Sequence, residues 1–67
     1  MSDYIERMKD EYKELDERVT KLEVFTETST FDSLSKTNRH MMLQQLAYMK
    51  GYREILDGRL WLAHGNK

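Results

Sequence analysis

Gln45, Tyr52 and Arg59 recur every seven residues in the second half of a 67-residue chain, and Tyr4, Glu11, Arg18 and Phe25 recur at the same interval in the first half. Wound as helices at about 100° per residue, residues seven apart fall on one line. The Gln45, Tyr52 and Arg59 line runs up the middle of an arc that is otherwise apolar. An arginine there needs an anionic partner, because burying an unpaired charge costs several kcal/mol. Two readings satisfy it. One is an inter-subunit hydrogen-bond network in which Arg59 meets a carboxylate such as Glu11 or Glu23; the other is a site for an anion. Gly51, Gly58 and Gly65 form a second line nearby. An interior glycine costs a helix roughly 1 kcal/mol relative to alanine, which points to close approach of another backbone or of a ligand, with chance spacing as the rival.

The first-half line has the same two sides. Arg18 can answer Glu14 and Tyr4 can cover the end of the structure, or the line can form one edge of a binding site. Tyr4 and Arg18 stand about 21 Å apart on an unbroken helix, too far for one small ligand within one chain. A shared site therefore needs two antiparallel protomers or a break near the N-terminus. Other chemistry is poorly provided for. His40 and His64 are the only histidines, 24 residues apart, and no metal-ligand spacing, phosphate loop, nucleophile elbow or Cys/His pairing is present. Asp16 and Glu17 read as part of a solvated charged face. The expectation is no enzyme, no metal and no cofactor.

The elements that carry these lines are helical. In the second half, Met42, Met49, Leu56 and Ala63 make one stripe, with Leu46 and Leu60 on one flank and Tyr48, Ile55 and Leu62 on the other. In the first half, Ile5, Met8, Tyr12, Leu15, Val19 and Leu22 step by three and four, a narrow a/d pattern. Ser2 or Asp3 can cap its start. Thr26 to Thr30 offers hydroxyl and β-branched side chains that compete for backbone hydrogen bonds and end a helix. Phe31 and Leu34 then pack the connector down, and Ser33 or Ser35 caps the next helix. The predicted fold is all-α: a single antiparallel hairpin, with a helix over about 3–27, a connector over about 28–35, a helix over about 36–63 and a frayed tail. It leaves room for a short N-terminal helical segment. One narrow stripe cannot cover one wide arc, so Tyr48, Ile55, Leu62 and Trp61 are expected to stay wet in a monomer and to mark a homo-oligomer interface.

Composition points the same way. A domain this short buries only about 60% of its unfolded surface, and without cysteine the remaining support is oligomerisation. Eleven basic and twelve acidic residues are intermixed, for a net charge of −1, so there is no basic face for long nucleic acid. The absence of a long apolar run or of a secretory h-region predicts a soluble, cytosolic protein with no membrane contact.

The run Glu11-Tyr12-Lys13-Glu14-Leu15-Asp16-Glu17-Arg18-Val19-Thr20-Lys21-Leu22-Glu23-Val24-Phe25, then Phe31-x-x-Leu34-Ser35, then Gln45-Leu46-x-x-Met49-x-x-Tyr52-x-x-Ile55-Leu56-x-x-Arg59-Leu60, resembles the small tailed-phage proteins known as anti-CBASS sponges. The resemblance covers nearly the whole chain. It implies a helical homohexamer in the host bacterial cytoplasm that sequesters cyclic oligonucleotide messengers of a bacterial immune system without chemistry on them. Cyclic dinucleotides would bind between paired protomers and cyclic trinucleotides at separate three-fold positions. The family's base-stacking tyrosine carries over to Tyr4, with Tyr12 as its competitor. Its phosphate-holding basic residue carries over to Arg18, with Lys21 as competitor, and the basic residue of the trinucleotide site carries over to Arg59. The connector from Thr26 to Thr30 is a candidate lining for the three-fold site. The alternative is a structural or adaptor oligomer whose helices pair with a host or phage protein.

Overall fold

Three helices organise the described residues: α1 (Asp3–Phe25), α2 (Ser29–Asp32) and α3 (Lys36–Ala63). The computed structural model describes residues 3–64. The possible cap at Ser2 and the stop at Gly65 to Lys67 lie outside the described residues. Helix α1 is unbroken from Asp3 onward, and the short extra helix stands in the connector.

The long helices run antiparallel, as their cross-links show. Tyr4 and Met8 near the start of α1 share a groove with Leu62 and Ala63 at the end of α3, Glu11 meets Tyr52 midway, and Leu22 and Phe25 near the end of α1 share a groove with Met42 and Met49 near the start of α3. Between them lies the a/d row of α1: Met8, Leu15 and Val19 are buried, and Tyr12 and Leu22 pack beside them. From α3 come Leu46 and Leu56, both buried, with Met49, Leu60 and Ala63 partly so. The central stripe of α3 and its Leu46/Leu60 flank thus face α1.

The other flank faces away. Tyr48 is 74% exposed, Ile55 59% and Leu62 64%, and Trp61 is 51% exposed on a further side. The geometric reason is the width of α1, whose single row of large side chains covers only one side of α3's apolar arc. Beside that open flank, a Cβ added at Gly51 or Gly58 would meet nothing within 4 Å, so nothing inside the protomer requires glycine there.

The connector turns on hydroxyl chemistry. Thr26 Oγ1 donates to the Glu23 carbonyl and Thr28 Oγ1 to the Phe25 carbonyl, each at 2.7 Å, drawing off acceptors at the end of α1. Thr28 Oγ1 also accepts from the Phe31 amide at 3.1 Å and caps α2. Ser35, with extended backbone, accepts from the Asn38 amide at 3.1 Å and caps α3. Phe31 is buried and meets Phe25 edge to face, ring centroids 6.0 Å apart, a geometry that favours aromatic pairs. Arg39 Nη1 donates to the Asp32 carbonyl at 2.8 Å, which ties α3 back to α2.

Leu56, fully buried, is the sharpest test of this core. Leu56→Ala should cost roughly 2–5 kcal/mol in urea unfolding at fixed protein concentration. Ile55→Ala, on the uncovered face, should cost the protomer less than about 0.5 kcal/mol. A larger loss that grows with protein concentration would show that another copy covers that face.

Candidate functional site

The two seven-residue lines meet along one edge of the hairpin. Tyr4 lines a groove with Arg59; Glu11 accepts a hydrogen bond from the Tyr52 hydroxyl; Arg18 and Phe25 line a second groove with Gln45. Antiparallel helices with equal seven-residue steps stay in register as they pass, so the pairing persists along the edge. The polar line of α3 therefore sits at the margin of the helix interface, half in contact with α1.

The groove at the N-terminal end of α1 holds about 350 Å³ and is lined by Tyr4, Met8, Arg59, Leu62 and Ala63. Its chemistry is one exposed phenol ring, one guanidinium and an apolar floor. The second groove, about 390 Å³, places Arg18 and Lys21 over Leu22, Phe25, Met42 and Met49. Gln45 stands on its wall, its Nε2 donating to Met49 Sδ at 3.9 Å. Arg18 and Lys21, the two rival candidates for holding phosphate, thus line the same groove. Among the described residues neither they nor Arg59 join an ion pair. Arg18 does not close on Glu14, and Arg59 reaches neither Glu11 nor Glu23. Those acids are occupied by Tyr52 and by Lys50.

Tyr4 is 54% exposed. Tyr12 is half-buried against the core, with less of its ring available. Tyr4 and Arg18 remain on one continuous helix, about 21 Å apart, so any site using both takes them from two protomers. The N-terminal break that would have joined them in one chain is not there.

On the opposite edge the contacts are ionic. Arg53 Nη1 lies 2.8 Å from Asp16 Oδ1, and Lys50 Nζ lies 2.6 Å from Glu23 Oε2. Lys50 and Glu23 line a third groove of about 420 Å³ together with Thr20, Val24, Thr26 and Glu27. Sequence reading had not singled out Arg53 or Lys50. The available signal was position: Arg53 falls between Met49 and Leu56 on the α1-facing side, where a charge has to find a partner. His40 and His64 are both exposed, and no cluster of potential metal ligands occurs among the described residues.

Among the described residues, contacts across the hairpin shift the titration of Glu23 and Tyr52. The hydrogen bond from Lys50, with the nearby Lys50 and Arg53 charges, holds the Glu23 carboxyl below 4.5, against a smaller opposing effect of desolvation. The hydrogen bond to Glu11 raises the Tyr52 phenol above 10.0, helped by desolvation and the Glu11 charge and opposed by Arg59.

The Sequestin family model matches residues 2–62 of the chain. The uncharacterized 7.5 kDa protein in the denB-rIIB intergenic region of Enterobacteria phage T4 is 33% identical over 57 residues, which span 85% of this chain and 89% of that protein. No solved structure matches. No helix among the described residues is long and apolar enough to cross a membrane.

The titrations make a signed prediction. Glu23 has a lowered folded-state pKa, so its contribution to stability is present above its unfolded pKa and is lost as pH falls through the folded value. Tyr52 has a raised one, so its contribution is present below the unfolded pKa and is lost as pH rises through the folded value. By tyrosinate absorbance the Tyr52 step should lie above the ordinary tyrosine value, and Glu11→Gln should lower it.

Proposed function

The chain belongs to the Sequestin family, and from that membership together with the edge geometry we propose that it is a non-enzymatic sponge for cyclic oligonucleotides. It binds cyclic dinucleotides between paired protomers and cyclic trinucleotides at separate three-fold positions of a homohexamer. It thereby withdraws the messengers of CBASS anti-phage immunity in the cytoplasm of the host bacterium. The observation that carries this reading is the placement of unpaired cations beside aromatic rings: Arg59 with the exposed Tyr4, and Arg18 and Lys21 with the half-buried Phe25. A nucleotide asks for that combination, a flat apolar surface for the base and a guanidinium for the phosphate.

Each groove is open and lies near the small end of the range for ligand sites, about 300–1,000 Å³. A cyclic dinucleotide needs a second wall. An antiparallel second protomer supplies it and brings an Arg18 toward a Tyr4, which resolves the 21 Å gap of about fourteen helical residues. Two-fold symmetry doubles every contact on a ligand that is itself nearly two-fold symmetric. That doubling matters because a sponge must outcompete a receptor, and nanomolar binding is about −12 kcal/mol, beyond one stacked base and one phosphate contact. In this arrangement Tyr4 stacks a base and Arg18 holds phosphate, while Arg59 serves the trinucleotide.

The exposed Trp61 supports a second reading, an adaptor that docks a protein partner, since tryptophan is enriched at binding hot spots.

Calorimetric titration of the full chain with a cyclic dinucleotide and a cyclic trinucleotide tests the proposal, and silence from both ligands would overturn it in favour of the adaptor. Tyr4→Ala should weaken the dinucleotide by about 1–3 kcal/mol per base released from stacking, and Arg18→Ala should weaken it as well. Arg59→Glu should weaken the trinucleotide. Because Tyr4 and Arg59 line one groove, one substitution that abolishes both ligands while light scattering shows an intact assembly would unite the two sites.

A further inference from the structure

Glu11 is the carboxylate placed to close off Arg59. Each Cα–Cβ bond tilts toward the N-terminus of its own helix. In this antiparallel pair Glu11 therefore leans toward the level of Tyr4, and Arg59 leans toward the level of Tyr52. Their levels differ by about 10 Å along the axis, a gap that an extended guanidinium arm and a carboxylate arm can bridge between them. Yet Glu11 is engaged by the Tyr52 hydroxyl, and Arg59 makes no ion pair among the described residues. The three groups do share one neighbourhood: Glu11 and Arg59 act on the Tyr52 phenol with opposite signs.

We propose that Tyr52 is a positioning residue that holds Glu11 away from Arg59 and so keeps the guanidinium available for an anionic ligand. The proposal rests on the reading of Arg59 as a phosphate contact. Without the phenol, Glu11 becomes an intramolecular competitor for Arg59. The apparent affinity of a ligand then falls by the fraction of Arg59 that remains unpaired. An exposed ion pair contributes up to about 1 kcal/mol, so the expected loss is roughly fivefold. The hydroxyl is needed only because Glu11 is present, and this separates a positioning residue from one that touches the ligand directly.

The test compares wild type, Tyr52→Phe, Glu11→Gln and the double variant, each titrated calorimetrically with cyclic di-AMP and cyclic tri-AMP, with circular dichroism confirming equal helix content. Tyr52→Phe should weaken the ligand bound through Arg59 about fivefold. Glu11→Gln should bind at least as well as wild type, and the double variant should recover wild-type affinity. An unchanged Tyr52→Phe, or a double variant as weak as Tyr52→Phe, would overturn the proposal. Where wild type binds neither ligand, the sponge reading fails, and the Glu11 carboxyl titration followed by NMR still decides the positioning role. In the Tyr52→Phe background, adding Arg59→Gln should raise the Glu11 midpoint. In the wild-type background it should not, while Arg7 and Arg18 on Glu11's own helix stay constant throughout. No dependence on Arg59 in the Tyr52→Phe background would overturn the proposal.

Discussion

Unequal apolar width governs this molecule. Helix α1 offers one row, from Met8 through Leu15 and Val19, and α3 offers an arc that this row can only half cover. Burial of apolar surface drives packing at roughly 25 cal/mol per Å², so the helices seat the widest contact available and leave Tyr48, Ile55 and Leu62 over. A chain of 67 residues without disulfides has little stability to spare. A large uncovered flank on such a chain is the mark of a surface meant to meet something. The open space over Gly51 and Gly58 beside the same flank fits close approach of another backbone.

The polar residues are arranged around that seam. On one edge the charges neutralise each other directly, Arg53 with Asp16 and Lys50 with Glu23. These pairs are at least partly exposed, and such pairs contribute little to stability; their use is to define which way the hairpin closes and to occupy those acids. On the other edge the cations are left over. Glu11 is taken by a phenol instead of a guanidinium, and Arg18, Lys21 and Arg59 keep their hydrogen-bonding capacity beside aromatic rings. The asymmetry between the edges is what turns a helical hairpin into a candidate binder of anions.

Membership of the Sequestin family and the edge geometry bear on different parts of the functional reading. Family membership supports sequestration as the role. The geometry adds that neither groove encloses a ligand alone, and that Tyr4 and Arg18 can cooperate only across a protomer boundary. It also brings Tyr4 and Arg59 to one groove, so contacts assigned to two ligand classes stand side by side.

The sequence by itself determined the two long helices, the a/d row, the flank left bare and the two seven-residue lines. Those depend on the 3.6-residue period and on side-chain polarity, both local properties. It also located the turn, because Thr26, Thr28 and Ser35 cap and terminate through bonds to residues three away. It did not determine which carboxylate each cation meets. The sequence offers Arg59 either an anion or a carboxylate such as Glu11 or Glu23, and Tyr52 and Lys50 hold those acids; it leaves Arg18 open between Glu14 and a binding edge, and Arg18 lies in a groove with Lys21. Those outcomes turn on the axial register of α1 against α3, which is decided by how Met8, Leu15 and Val19 pack against Leu46 and Leu56 in one core and is invisible to either helix alone.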